Sequence, residues 1–68
     1  MQTEVAENIY IAIKASKKNQ AQVARELGVH KTVISEYIAG RAMPSIPTLK
    51  KLCQVLECDY ADILGKLD

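Results

Sequence analysis

The apolar positions of this chain recur with the 3.6-residue period of an α-helix, and no stretch alternates in the manner of a strand. This pattern predicts five helices: residues 3–17, 20–27, 30 or 31 to about 39, 46–56 and 60–64. Asn19, Ser45 and Asp59 stand where N-caps are expected. Gly28 and Gly40 stand where a left-handed residue ends a helix. We therefore expect an all-α fold, a compact five-helix domain spanning residues 1–68.

The expected core is built from one apolar stripe on each helix. The predicted inward residues are Val5, Ile9, Ala12, Ile13, Ser16, Val23, Ala24, Leu27, Ile34, Tyr37, Ile38, Ile46, Leu49, Leu52, Cys53 and Leu56. Ile11 points away from the first stripe and Tyr10 flanks it, so apolar surface remains on the first helix. For Lys18, we expect the aliphatic stem to pack while the ammonium group stays in water.

Composition and charge narrow the possible functions. At 49% hydrophobic the chain is too apolar to be disordered, and it has no uninterrupted run long enough to span a membrane. The net charge is only +1, but residues 14–41 carry +4 between two acidic flanks. A basic central segment is typical of a nucleic-acid contact, and it is equally compatible with a solvated helix face.

Candidate chemistry for catalysis or metal binding is sparse. Cys53, Cys58 and His30 supply too few ligands for a zinc site, and two cysteines are too few for a secreted disulfide scaffold. We expect reduced thiols that act as small apolar side chains. No leader pattern is evident, and we expect a cytoplasmic location. With no catalytic constellation and no cofactor motif, we expect neither an enzyme nor a bound cofactor.

A short glycine turn, Gly28-Val29-His30, joins the second and third predicted helices, which is the spacing of a helix-turn-helix unit. The segment Asn19–Val29, with sequence NQAQVARELGV, resembles the phage-repressor (Cro/cI-type, XRE-like) helix-turn-helix family. The match continues through Ile34-Ser35, Gly40-Arg41, Pro44-Ser45, Leu49–Leu56 and Cys58–Leu64. The resemblance implies a lambda-repressor-like five-helix bundle that binds operator DNA, usually as a dimer on two half-sites.

One departure from the family pattern involves two positions together. Family members often bury an arginine of the first helix against a glutamate near the end of the third. Ile13 and Ile38 occupy these positions here, so no unpaired charge is left behind. Because a packed apolar pair can replace a buried ion pair without loss of stability, the double change supports the alignment.

Four residues are candidates for contacts to the phosphate backbone. Asn19 and Gln20 begin the second helix, where free N–H groups and the helix dipole favour an anion, and the matched family positions contact the operator backbone. Arg41 follows the third helix at another such position of the family, and Lys17 adds positive charge. The alternatives are a capping role alone for Asn19 and a solvated side chain for Lys17.

The resemblance places base reading on the outward face of the third helix, at Lys31, Thr32 and Glu36, with Ser35 close to the DNA. Lys31 can donate to guanine, and Thr32 can offer thymine its methyl group or a base its hydroxyl. Glu36 can accept from cytosine or simply repel phosphate at wrong sites. We expect His30 to neighbour the cap of this helix and not to act as a titrating switch.

Two classes of function follow. The first is a sequence-specific regulator of double-stranded DNA, most simply a repressor that reads an inverted repeat as a homodimer. The second is a protein-binding adaptor or antitoxin-like module with the same fold and a protein partner. Self-association would use Ile63, Leu64 and Leu67 or the patch around Ile11.

Overall fold

Helix α1 (Gln2–Ser16) begins the part of the chain that the computed structural model describes, which is residues 2–65, with side chains from residue 4 onward. Its inward face follows the predicted stripe through Ile9 and Ile13, with Ala6 as a further buried residue. Ile11 is 57% exposed, as its position off the stripe predicts. Lys17 adopts a left-handed conformation with φ of 65° directly after the helix.

Helices α2 (Gln20–Leu27) and α3 (Lys31–Ala39) form the predicted helix-turn-helix unit. The Asn19 side chain accepts a hydrogen bond from the N–H of Gln22 at 2.8 Å, so it caps α2 as expected. Gly28 has φ of 85°, a conformation that costs a residue with a β-carbon more than it costs glycine. The N–H groups of Gly28 and Val29 both donate to the carbonyl of Ala24, at 2.8 and 2.9 Å. These bonds end α2 and turn the chain toward α3.

Helices α4 (Ile46–Leu56) and α5 (Tyr60–Leu64) complete the bundle within residues 2–65. Pro47 lies in the first turn of α4, where the missing N–H would have had no helical partner. Before α5, the N–H of Asp59 donates to Asp62 Oδ2 at 3.0 Å. The described residues therefore confirm the expected all-α fold with five helices.

The prediction that Ile46 is buried was wrong, because its side chain is 72% exposed. The helical period does place Ile46 on the same stripe as Leu49 and Cys53, both of which are buried. Ile46 is, however, the first residue of α4, where the stripe extends beyond the packed core. Pro44, in the preceding loop, is buried instead.

The core lies where α1 packs against α3, α4 and α5, while α2 packs against α3 and α4. The largest fully buried side chains come from all five helices: Ile9, Val23, Ile34, Leu52 and Ile63. Because Ile63 is enclosed by its own chain, it is not available to line a surface between two copies. Leu64 is half-buried, and Leu67 lies outside the described residues.

Ile13 and Ile38, the apolar pair predicted from the family comparison, both pack into this core. Ile13 is buried and Ile38 is half-buried against the same cluster. Buried hydrophobic side chains therefore stand where the family often has an ion pair, which avoids the desolvation penalty of two charges.

The ammonium group of Lys18 does not stay in water as expected. It donates to Glu26 Oε1 at 2.7 Å and to the carbonyl of Val55 at 2.8 Å, which connects the loop before α2 to α2 and α4. The hydrogen bond from Lys18 lowers the pKa of Glu26. The positive charge of Lys18, one of those in the basic central segment, is therefore used in a contact within the protein.

The thiols of Cys53 and Cys58 are both free. Burial raises the pKa of each thiol, for Cys58 to about 11. Within residues 2–65, no group of three or more His, Cys, Asp or Glu side chains is arranged to hold a metal ion. No helix in that range is long and apolar enough to cross a membrane.

Candidate nucleic-acid interface

Helix α3 buries one face and exposes the face that carries the predicted base-reading residues. Ile34 and Tyr37 are buried against the core, and burial raises the pKa of the Tyr37 hydroxyl. The opposite face carries the exposed residues Lys31, Thr32 and Ser35 and the half-buried Glu36. The helical period explains this division, since the outward positions lie between the inward ones at intervals of three or four.

A hydrogen bond ties the start of α2 to the exposed face of α3. Ser35 Oγ donates to Gln20 Oε1 at 3.2 Å, across 15 positions of the sequence. The side-chain oxygen of Gln20 is thereby occupied, while its amide nitrogen remains a donor with two N–H groups. Asn19, the neighbouring residue, directs its own oxygen to the N–H of Gln22. The fold thus places both predicted backbone-contacting amides beside the predicted reading helix.

At the other end of α3, Glu36 and Arg41 form an exposed ion pair. Arg41 Nη1 donates to Glu36 Oε2 at 3.1 Å. Gly40, in the left-handed conformation with φ of 78°, turns the chain so that the N–H of Arg41 donates to the carbonyl of Glu36 at 3.0 Å. The side chain of Arg41 remains 71% exposed, so its guanidinium keeps further donors for a ligand.

The start of α3 is capped by His30 itself, and not by a neighbour of His30 as expected. The N–H of Thr32 donates to His30 Nδ1 at 3.1 Å. Thr32 Oγ1 lies 2.9 Å from the same ring nitrogen. The backbone N–H and the hydroxyl oxygen of Thr32 therefore both lie beside the imidazole ring.

Lys17 is exposed at the end of α1, two residues before the cap of α2. In the described part of the chain, neither Lys17 nor Lys31 forms an ion pair. The predicted site residues thus lie directly after α1, at the start of α2, on the exposed face of α3 and in the turn that follows it.

Sequence reasoning located these residues but missed the three side-chain pairs that connect them. The Gln20–Ser35 bond joins two helices and has no local sequence signal. The Glu36–Arg41 pair spans five residues, a spacing that does not bring side chains together along one helix. The contact of His30 with Thr32 did have a local sequence signal, because a histidine directly before the first helical residue can accept a hydrogen bond as the N-cap.

Comparison with known proteins agrees with this geometry. The sequence model of a family described as Helix-turn-helix matches residues 9–63, which is most of the chain. The chain is also similar to the cryptic phage CTXphi transcriptional repressor RstR of Vibrio cholerae serotype O1 (strain ATCC 39315 / El Tor Inaba N16961). The two are 34% identical over 53 residues, which cover 78% of this chain and 47% of the repressor. The chain thus spans about half the length of this curated relative.

Proposed function

Because the chain belongs to the phage-repressor type of the helix-turn-helix family, we propose that it is a sequence-specific regulator that binds double-stranded DNA. The observation that carries this proposal is the exposed face of α3, to which the start of α2 is tied by the Gln20–Ser35 hydrogen bond. A helix presented in this way fits the major groove, while the preceding helix crosses the backbone. The protein acts by occupying DNA and carries out no catalysis.

Contacts to phosphate come from both ends of the motif. Asn19 and Gln20 meet the backbone at the start of α2, where the free N–H groups of the helix favour an anion. Since the hydroxyl of Ser35 donates to the oxygen of Gln20, the amide N–H groups of Gln20 are the donors that we assign to phosphate. Arg41 contacts phosphate beyond the end of α3, and Lys17 adds an electrostatic contact. These contacts orient α3 and carry no sequence information by themselves.

Base recognition comes from the exposed residues of α3. Lys31, at the first position of the helix, donates to guanine O6 and N7. Thr32 and Ser35 lie one and four positions further along the helix. Glu36 either accepts from cytosine N4 or, paired with Arg41, disfavours sites where its carboxylate has no donor.

We propose that two copies read an inverted repeat and that the outcome is repression. The name of the Vibrio relative, a transcriptional repressor, supports repression as the outcome. The charge of the chain supports reading by two copies. A net charge of +1 gives one copy little general attraction for DNA, so two half-sites and correct base contacts supply the affinity.

Selection from random duplexes tests the proposal. We expect a single enriched motif with two inverted half-sites, because a two-fold dimer repeats its contacts. The Lys50→Ala variant is the control for a change of charge outside the α3 face, since it removes one exposed positive charge from α4 and leaves that face intact. A selection that enriches no motif with the parent protein contradicts the proposal. An enriched motif without inverted symmetry contradicts the dimer alone.

A second candidate function, binding of a partner protein, is favoured by the apolar surface of α1. Ile11 and Tyr10 are 57% and 43% exposed, and Ile11 borders a groove between α1 and the end of α4 that Val55 and Cys58 also line. An adaptor or antitoxin-like module would use this surface. Pull-down with and without nuclease separates the two functions, because a partner that survives nuclease favours the adaptor. Sedimentation of Ile11→Lys shows whether the same surface holds two copies together.

A further inference from the structure

The imidazole of His30 determines which hydrogen-bonding groups Thr32 has left for a ligand. Because the N–H of Thr32 donates to His30 Nδ1 at 3.1 Å, that nitrogen carries a lone pair. The proton of the neutral ring is then on Nε2. Thr32 Oγ1 lies 2.9 Å from the same unprotonated nitrogen, so the hydroxyl can only donate in this contact, and it shares the one lone pair of Nδ1 with the N–H group. The one hydroxyl proton of Thr32 is therefore directed to His30.

This contact also sets the direction of the Thr32 methyl group. The oxygen and the methyl group are both attached to the β-carbon, so a hydroxyl held at His30 fixes χ1 and with it the position of the methyl. Thr32 is exposed on the face of α3 that the proposed function places in the major groove. A methyl group presented there matches the C5-methyl group of thymine, the apolar feature of that groove.

The second hydroxyl on this face is engaged in the same way, since Ser35 donates to Gln20. Both hydroxyl protons of the exposed face are thus used within the protein. Neither hydroxyl donates to a base without first breaking an internal bond. The oxygen of Thr32 can still accept a hydrogen bond, but it lies beside the His30 ring, so we assign base readout by Thr32 to its methyl group.

We propose that His30 is a positioning residue that turns the hydroxyl of Thr32 inward and makes Thr32 a reader of thymine through its methyl group. This inference rests on the proposed function, because it requires α3 to lie in the major groove. It goes further in assigning the base, the chemical group that is recognised and the residue that orients it.

Replacement of thymine by deoxyuridine in the selected site removes only the C5-methyl group and tests the contact directly. With the parent protein, we expect one position in each half-site where this replacement weakens binding about fourfold, the effect of one buried methyl group. The Thr32→Val variant keeps the methyl contact and retains the uracil effect at that position. The Thr32→Ser variant has no methyl group and loses the effect.

The role of His30 is tested by the ratio of the Kd for the uracil duplex to the Kd for the thymine duplex. A general loss of protein stability raises both Kd values alike and leaves this ratio unchanged. His30→Ala frees the hydroxyl to rotate, and we expect the ratio to fall toward one. His30→Asn restores an acceptor of the kind that Asn19 supplies at α2, and we expect the ratio to recover. A ratio unchanged in His30→Ala overturns the positioning role.

The outcomes separate this inference from the proposed function. A selected motif with no uracil effect at any position overturns the inference and leaves DNA binding standing. A selection with no motif overturns both. Imidazole 15N spectra of the free protein at neutral pH give an independent measurement. We expect the Nε2–H tautomer for His30, and a predominant Nδ1–H tautomer overturns the inference whatever the DNA result.

Discussion

The carboxylate of Glu36 and the guanidinium of Arg41 meet at 3.1 Å across the glycine that ends α3. This pair lies on the surface, where such a bond contributes about 0–1 kcal/mol to stability. The pair therefore matters less for stability than for the proposed binding of DNA. The pair holds an arginine at the end of the proposed reading helix and offsets the one carboxylate of that helix.

Substitution of Arg41 by alanine is predicted to weaken binding to the selected site and to random duplexes by the same factor. A phosphate contact carries no sequence information, so its loss is uniform. The slope of log K against log salt concentration is expected to fall by about 1 for each copy bound. Titrations at several salt concentrations measure both effects, and Lys50→Ala is the charge-matched control. A loss confined to one sequence would show that Arg41 reads a base.

Lys31→Ala is predicted to change base preference instead. Loss of a contact to guanine costs about 1–3 kcal/mol at that base pair and relaxes the preference there. Repeating the selection with the variant should return the same motif with one degenerate position in each half-site. If the variant lowers affinity equally for all duplexes, Lys31 belongs with the phosphate contacts.

The Gln20–Ser35 bond predicts coupling between two residues in DNA binding. Ser35→Ala releases the oxygen of Gln20, so the amide no longer has a fixed direction, and affinity should fall by about 1 kcal/mol. The double variant should bind no more weakly than Gln20→Ala alone, because both changes remove the same oriented donor. A double-mutant cycle of Kd values measures this coupling. Additive losses would mean that the two side chains contact DNA independently.

Burial predicts a large loss of stability for one apolar residue of α4 and almost no change for another. Leu52 is fully buried, and Leu52→Ala should lower the free energy of unfolding by about 2–5 kcal/mol. Ile46 is 72% exposed, and Ile46→Ala should change it by less than about 0.5 kcal/mol. Urea denaturation followed by circular dichroism gives both values. A large loss in Ile46→Ala would show that Ile46 is covered in solution.

The Cys58 thiol predicts a loss of stability in alkaline solution. Its pKa is raised from 9.0 to about 11, chiefly by burial. The unfolded chain therefore loses the thiol proton first, and stability falls as the pH rises from about 9 through about 11. Denaturation under reducing conditions at pH 7 and pH 10 should show a larger decrease for the parent protein than for Cys58→Ala. Equal decreases would mean that this thiol titrates alike in the folded and unfolded chains.

Much of the fold was predictable because its signals are local. Asn19 before α2 and Gly28 after it mark the ends of that helix through bonds to residues within a few positions. The same period that placed Ile34 and Tyr37 inside placed Lys31 and Ser35 outside. Ile46 was predicted wrongly because periodicity gives the direction of a side chain and does not tell how far the core extends along the helix.

The sequence by itself determined the five helices, the N-caps Asn19, Ser45 and Asp59, and the helix-turn-helix turn, since each depends on neighbours along one helix or turn. The residues of the candidate interface came from the family resemblance. The tertiary structure alone decided that Ser35 bonds to Gln20, that Lys18 bonds to Glu26 and Val55, and that Ile63 is enclosed. The reason is physical. Such contacts depend on how helices are placed in space, and on which of several possible partners each polar group reaches once the core has packed.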